Sequence, residues 1–276
     1  MGRRRFFSLQ SVLVNTGLLL VLFWTLTPIF WLFLTSIKSE TDAFAYPPKF
    51  SFEPTLTAYD WILSRGDWPR FWMNSVVVAS TSTLIAAALG ISAAYGLTRF
   101  RFKNRRVTLF AILSVRFTPP IIVLIPIFFM MRDLKLSDSL IGLSLIHAVF
   151  QLPFVVWILL GFFAAVPRDL ADAALVDGLS EFGTLYRVIL PIIRPGLVAA
   201  ALFSALLSWN EFAVALVLTT NRAKTVPVAA TTLIAERTIH WDRIAATGMI
   251  AIIPTVLFAI FIQRHLIRGL AAGSIK

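Results

Sequence analysis

The sequence predicts an all-α integral membrane protein with six transmembrane helices, and three observations carry that prediction. The 276-residue chain is 58% hydrophobic and only 14% charged, whereas soluble domains carry about 25% charged residues. Its mean hydropathy of +0.82 exceeds what a soluble fold can hide. Six apolar runs are each long enough to cross a bilayer by the criterion of about 20 residues. Cysteine is absent, which excludes disulfides and thiolate chemistry. A single transmembrane domain over residues 1–276 is expected.

Taken in order, a basic start at Arg3, Arg4 and Arg5 precedes residues 12–37. That run exceeds the apolar region of a cleaved signal, about 7 to 15 residues. It is therefore the first span, kinked at Pro28. Residues 38–70 form the longest outer segment, kept extended at first by Pro47, Pro48 and Pro54. Within it, residues 56–63 can form a short amphipathic helix whose Tyr59 and Trp61 suit an interface. The second span covers 72–98, where Asn74 and Ser80 to Thr83 are small polar residues that allow close helix approach. The third covers 107–131 and holds Arg116 ahead of Thr118-Pro119-Pro120, where the double proline frees backbone carbonyls. The fourth, 140–164, has His147 and Gln151 one turn apart beside Pro153. The fifth and sixth, 196–219 and 244–262, follow, the fifth containing Trp209, Asn210 and Glu211.

Residues 165–195 are the longest polar interruption in the C-terminal half, and an apolar run pins each of their ends to one membrane face. Pro167 can occupy the first turn of a helix over 168–176, and Asp177-Gly178 supplies a stop because glycine takes the left-handed conformation freely. Ser180 can cap a second helix with Phe182, Leu185, Tyr186 and Ile189 on one side, ended by Pro191 and Pro195. Four acidic residues, Asp169, Asp172, Asp177 and Glu181, outnumber Arg168, Arg187 and Arg194. That balance suits a protein partner better than anionic lipid.

This loop resembles the signature E-A-A-x3-G-x9-I-x-L-P of ABC importer permeases. Asp172-Ala173-Ala174, then Gly178, then Val188-Ile189-Leu190-Pro191 stand in that register, with Asp172 for the glutamate and Val188 for the isoleucine. Pro167 to Leu170, Asp177, Tyr46 to Phe50, Trp209 to Phe212 and the tail from Gln263 to Lys276 are similar to the maltose-type sugar branch. The resemblance implies the type I ABC importer permease fold in a bacterial or archaeal cytoplasmic membrane. It implies a cytoplasmic coupling helix that docks into a cleft on a separate ATPase, with small Ala173 and Ala174 packing closely and Gly178 turning sharply. The coupling residues it points to are Asp172, Ala173, Ala174, Asp177, Gly178, Leu190 and Pro191. Expected partners are a second permease subunit, two ATPase subunits, an extracytoplasmic solute-binding protein and membrane lipid, with no nucleic acid.

Lys and Arg sort 14 to the side holding both termini and the 165–195 loop, and 10 to the other. By the positive-inside rule both termini and the coupling loop are cytoplasmic. Ionisable groups within spans cost about 2.5 to 3.5 kcal/mol at a helix centre and need partners. Arg116, His147, Gln151, Trp209, Asn210 and Glu211 are accordingly candidates for a polar translocation cavity, Trp209 stacking on a sugar ring. Internal pairing, such as Arg116 with Glu211, is the competing explanation. No phosphate loop is present, and His147, His240 and His265 show no metal-ligand spacing. The chain is therefore expected to be no enzyme and to bind no metal or cofactor, with ATP and Mg on the partner ATPase. An importer working by alternating access is the leading expectation. A self-contained secondary transporter driven through Arg116, His147 and Glu211, or a membrane enzyme using His147 and Glu211, are the alternatives.

Overall fold

The computed structural model describes residues 9–100, 103–117, 119–235 and 239–273, and among them there are helices and no strands. α1 (Leu9–Ser36) is followed by α2 (Glu40–Ala43), α3 (Thr57–Ser64) and the long α4 (Trp68–Arg99). Two shorter helices, α5 (Arg105–Phe117) and α6 (Pro120–Asp133), lead to α7 (Leu140–Ala165). Then come α8 (Arg168–Val176), α9 (Glu181–Thr184), a π-helical turn over Leu185–Ile189, and α10 (Leu190–Ile192). The chain ends with α11 (Arg194–Trp209), α12 (Ala213–Leu218), α13 (Val226–Ala230), α14 (Thr232–Ala235) and α15 (Trp241–Gly273). Packing divides it into two compact units, residues 1–66 with 232–252, and residues 67–231 with 253–276.

The second unit is built on α4, α7 and α11. Along α4 the residues Ser75, Ala79, Ser82, Ala86, Gly90 and Ala94 recur at helical spacing, and all are buried. Small side chains there let α7 come close: a Cβ on Gly90 would stand 2.6 Å from Val155 Cγ1. Gly196 at the start of α11 similarly leaves room for the Phe162 ring. One apolar cluster joins Ala86, Tyr95, Val155, Leu159 and Phe163 to Leu185, Ile189 and Ile193 of the loop after α7. A second joins Val78, Leu124, Met131, Leu143 and Ile146 to Val214, Ala215 and Leu218 of α12.

In the first unit the short helix expected within residues 38–70 is α3, and its aromatic residues have protein partners. Tyr59 Oη shares a hydrogen bond with Ser36 Oγ at 2.7 Å, and the Arg243 guanidinium lies 4.3 Å from the Trp61 ring. The aliphatic side chains Ala58 and Ile62 are buried beneath it. Lys38, itself buried, places its ammonium over Trp31 and Phe52, a cation-π arrangement that replaces lost hydration.

Four described helices are long and apolar enough to cross a membrane: Ser11–Ser36, Trp68–Arg99, Leu140–Ala165 and Trp241–Gln263. A fifth is reached if Glu181–Ile192 and Arg194–Trp209, bent by 83°, form one span. The first span buries none of its apolar window. The expected third and fifth runs differ from continuous helices. α5 ends before Pro119-Pro120, because a proline has no N–H to give the preceding turn and its ring excludes the helical carbonyl. The fifth run starts at Arg194 and breaks after Trp209, resuming at Ala213.

Candidate functional site

The 165–195 segment folds largely as its residues dictate. Pro167 stands at the N-cap of α8, which runs over Arg168–Val176. Gly178 has φ +86°, and its N–H donates to Leu175 O at 3.0 Å while Leu179 N–H reaches Ala174 O at 3.1 Å. This pair of crossed bonds is the Schellman ending, which needs a left-handed residue. Ser180 caps α9 by accepting from Gly183 N at 3.2 Å.

Two details depart from the simple helical wheel. Phe182, Leu185, Tyr186 and Ile189 do not share one buried face: Leu185 and Ile189 are buried, whereas Phe182 and Tyr186 are 74% and 60% exposed. The cause is the π-helical turn, in which Leu190 N–H reaches back to Leu185 O and the wider winding shifts the register. The helix also passes Pro191 to end at Ile192, and Pro195 opens α11 instead of closing the previous helix. Relief of the proline clash by the wide turn explains the continuation.

The alanines of the motif part company. Ala171 and Ala174 are buried against the chain itself, while Ala173 is exposed. Val176 is 88% exposed and Leu170 is exposed as well, so α8 presents an outward apolar edge. Asp177 and Pro191 are exposed, and Leu190 packs on the first apolar cluster. Asp172 pairs with Arg99 Nη2 at the end of α4 at 2.5 Å, and Arg99 Nε lies 3.9 Å from Glu181. Tyr95 Oη donates to the same Glu181 carboxylate at 2.6 Å. The two helices of the segment are thus tied to one end of α4 by two residues, Tyr95 and Arg99, that no sequence motif marks. In the sequence Arg99 counts only toward topology; its signal is charge complementarity with an acidic loop on the same face.

The polar residues of the spans form a connected chain. Ser82 Oγ donates to Ser208 Oγ at 3.1 Å, and Ser208 Oγ is 2.8 Å from His147 Nδ1. His147 is 2% exposed, and its Nε2 lies 3.5 Å from Glu211 Oε2, in ion-pair range but outside hydrogen-bond alignment. The Glu211 carboxylate accepts from Val214 N and Ala215 N, each at 3.1 Å, and so caps α12. Gln151 Oε1 accepts from Ser204 Oγ, linking α7 to α11 a turn away. Trp209 is 6% exposed and stacks on Trp72, with ring centroids 6.3 Å apart. Asn210 is exposed and donates to Leu206 O at 2.9 Å. The side chain of Arg116, and with it the expected pairing with Glu211, lies outside the described residues, as do the side chains of the tail residues 264–276.

Glu211 therefore sits at a helix break, with His147 and two amides as partners. The break itself is a consequence of its chemistry: a carboxylate in an apolar span needs donors, and the freed amides at the start of a helix are the nearest ones.

A helical membrane-spanning protein with a surface segment folded between two spans defines the class. The chain belongs to the family of binding-protein-dependent transport system inner membrane components, whose model matches residues 86–272. It is similar to the sulfoquinovosyl glycerol transport system permease protein SmoH of Agrobacterium fabrum, 33% identical over 277 residues, covering 100% of this chain and 94% of that protein. It is also similar to the trehalose/maltose transport system permease protein MalG of Thermococcus litoralis, 32% identical, covering 97% and 98%. Among solved structures, one chain of a bacterial ABC transporter involved in the import of the acidic polysaccharide alginate has the same fold. Its TM-score is 0.75 at 23% identity, over 94% of this chain and 98% of that one.

Proposed function

We propose that the chain is the permease subunit of an ATP-driven importer that moves a sugar or sugar-derived solute inward by alternating access. The observation that carries this is the 165–195 segment, a Schellman-turned helix pair fixed to α4 through Asp172 and Glu181, with Leu170, Val176, Phe182 and Tyr186 facing outward. Such a surface is a rigid handle with an apolar face, which is what a cleft on an ATPase subunit requires. The relatives' names, trehalose/maltose and sulfoquinovosyl glycerol, favour a carbohydrate solute.

On this reading ATP and Mg act on two separate ATPase subunits, because the chain carries no phosphate loop. A second, different permease supplies the other coupling segment, and an extracytoplasmic binding protein delivers the solute. Counting α5 with α6 and α11 with α12 as broken spans gives six crossings, with both termini and the coupling segment in the cytoplasm. In the membrane path, Asn210 and the partly open Glu211 face the solute at the helix break, while His147, Gln151 and Trp209 lie buried behind it. ATP-driven closure of the ATPases pulls on α8, and Arg99 passes the movement to α4. The test is purification of the tagged chain from its host in mild detergent, with mass spectrometry of what accompanies it. Recovery of an ATPase and a second permease is expected; the folded chain recovered alone overturns the importer reading in favour of a self-contained transporter.

A further inference from the structure

Asp138 lies in the turn between α6 and α7, held in the left-handed region at φ +51°. Its carboxylate accepts from four successive backbone amides: Thr220 at 3.0 Å, Asn221 at 3.1 and 3.2 Å, Arg222 at 2.9 Å and Ala223 at 3.0 Å. Consecutive amides converging on one point form an anion-binding concavity, and here an anion of the chain itself fills it. Asp138 also donates its own N–H to Leu218 O, the last residue of α12, at 2.9 Å. The carbonyls of the same loop are held from α4, where Asn74 Nδ2 donates to Arg222 O and Lys224 O at 2.8 and 2.9 Å. Arg70 Nη2 donates to Asn221 O at 3.2 Å, and Val226 N donates to Ser75 Oγ at 2.9 Å.

The loop thus has no secondary structure yet few free backbone groups. At its other end, α12 begins at the Glu211 cap, 3.5 Å from His147 of α7. Between these two clamps Val214, Ala215 and Leu218 pack on Leu124, Met131, Leu143 and Ile146 of α6 and α7. The six-residue α12 is therefore fastened at both ends and along its length to the α6–α7 hairpin, with α4 joining through Val78 and through Arg70, Asn74 and Ser75 at the loop that follows. Between Trp209 and Ala213, by contrast, no helix connects it to α11.

We propose that Asp138 is a positioning residue for transport, locking residues 213–226 onto the α6–α7 hairpin as one rigid piece, so that the chain bends at Asn210–Phe212 when α11 moves. The proposal rests on the importer reading above. Its test uses the absence of cysteine: spin labels are placed through Leu134→Cys with Asn221→Cys, inside the rigid piece, and through Val198→Cys with Asn221→Cys, across the break. Distances are measured in the purified whole assembly, nucleotide-free and trapped with ATP and vanadate. The expected result is an unchanged 134–221 distance and a 198–221 distance shifted by ~5 Å, the scale of a one-turn helix displacement. Adding Asp138→Asn, which keeps the shape but turns an NH2 group toward the amides, broadens the 134–221 distribution and reduces the nucleotide-driven 198–221 shift. A 134–221 distance that follows nucleotide as strongly as the other pair overturns the proposal, as does an Asp138→Asn assembly with wild-type distances. An Asp138→Asn chain that never assembles assigns the residue to folding and overturns it too. If the 198–221 distance is unmoved by nucleotide in an unaltered assembly that takes up solute, the bend is overturned and the importer reading stands; an assembly that holds no ATPase subunit overturns the importer reading instead.

Discussion

At Asp138, burial alone would raise the carboxyl pKa, but the backbone amides of Arg222, Ala223, Thr220 and Asn221 outweigh it and hold the group at about 2. The unfolded chain titrates near 3.9, so this carboxylate contributes stability that is present above about pH 4 and is lost as pH falls through about 2. Partial exposure reduces the contribution to the order of 1 kcal/mol. Thermal unfolding in detergent between pH 4 and pH 2 is expected to show this loss for the native chain and a smaller loss for Asp138→Asn. The residue was not legible in the sequence, because its partners are backbone groups 82 to 85 positions away and carry no side-chain signature. His147 and Glu211 were legible as costly groups within spans. Their pairing was not, since Arg116 offered a full positive charge and nothing in the sequence placed α7 against the break in the fifth run.

At the scale of elements, local chemistry predicted the helix starts and stops of the 165–195 segment closely. Pro167, Gly178 and Ser180 act within a few residues of themselves, so their roles as helix start, stop and cap are readable before any tertiary contact is known. The π-helical turn at Leu185–Ile189 was hidden because the same residues also satisfy an ordinary helical wheel. Gly178 gives the sharpest prediction. Apart from its chain neighbours no atom lies within 4 Å of a Cβ built there, so an uncharged substitution meets no steric clash and acts through φ +86°. Gly178→Val should strain the turn by about 1–2 kcal/mol, whereas Gly178→Asn, which tolerates the left-handed region, should be mild. Gly178→Asp, placing a charge on the proposed docking surface, should leave membrane insertion intact while abolishing uptake or assembly. Co-purification of the ATPase with each variant checks the order, and equal recovery for Gly178→Val and the native chain contradicts it. The breaks at Pro119-Pro120 and at Asn210–Phe212 were unequally legible: proline announces itself, but a carboxylate capping the helix that follows looks like an ordinary polar residue in an apolar run.

For the whole molecule, composition alone fixed the class, since 14% charged residues leave no soluble alternative for a chain this apolar. The number of crossings was harder to read, because hydropathy counts runs and is blind to a helix that stops and resumes within one. What joins the scales is the path from Asp172 through Arg99 into α4, and from α4 into α7 and α11 through Ser82, Ser208 and His147. The importer account requires the outward edge of α8 to touch an ATPase. The cysteine-free chain makes that contact directly measurable: Val176→Cys, carrying a thiol-attached photo-crosslinker, is irradiated in membranes holding the full assembly. The account predicts a covalent adduct with the ATPase subunit from position 176 and none from Leu134→Cys. An assembly in which the ATPase is present and the thiol is labelled, yet no adduct forms from position 176, would contradict it.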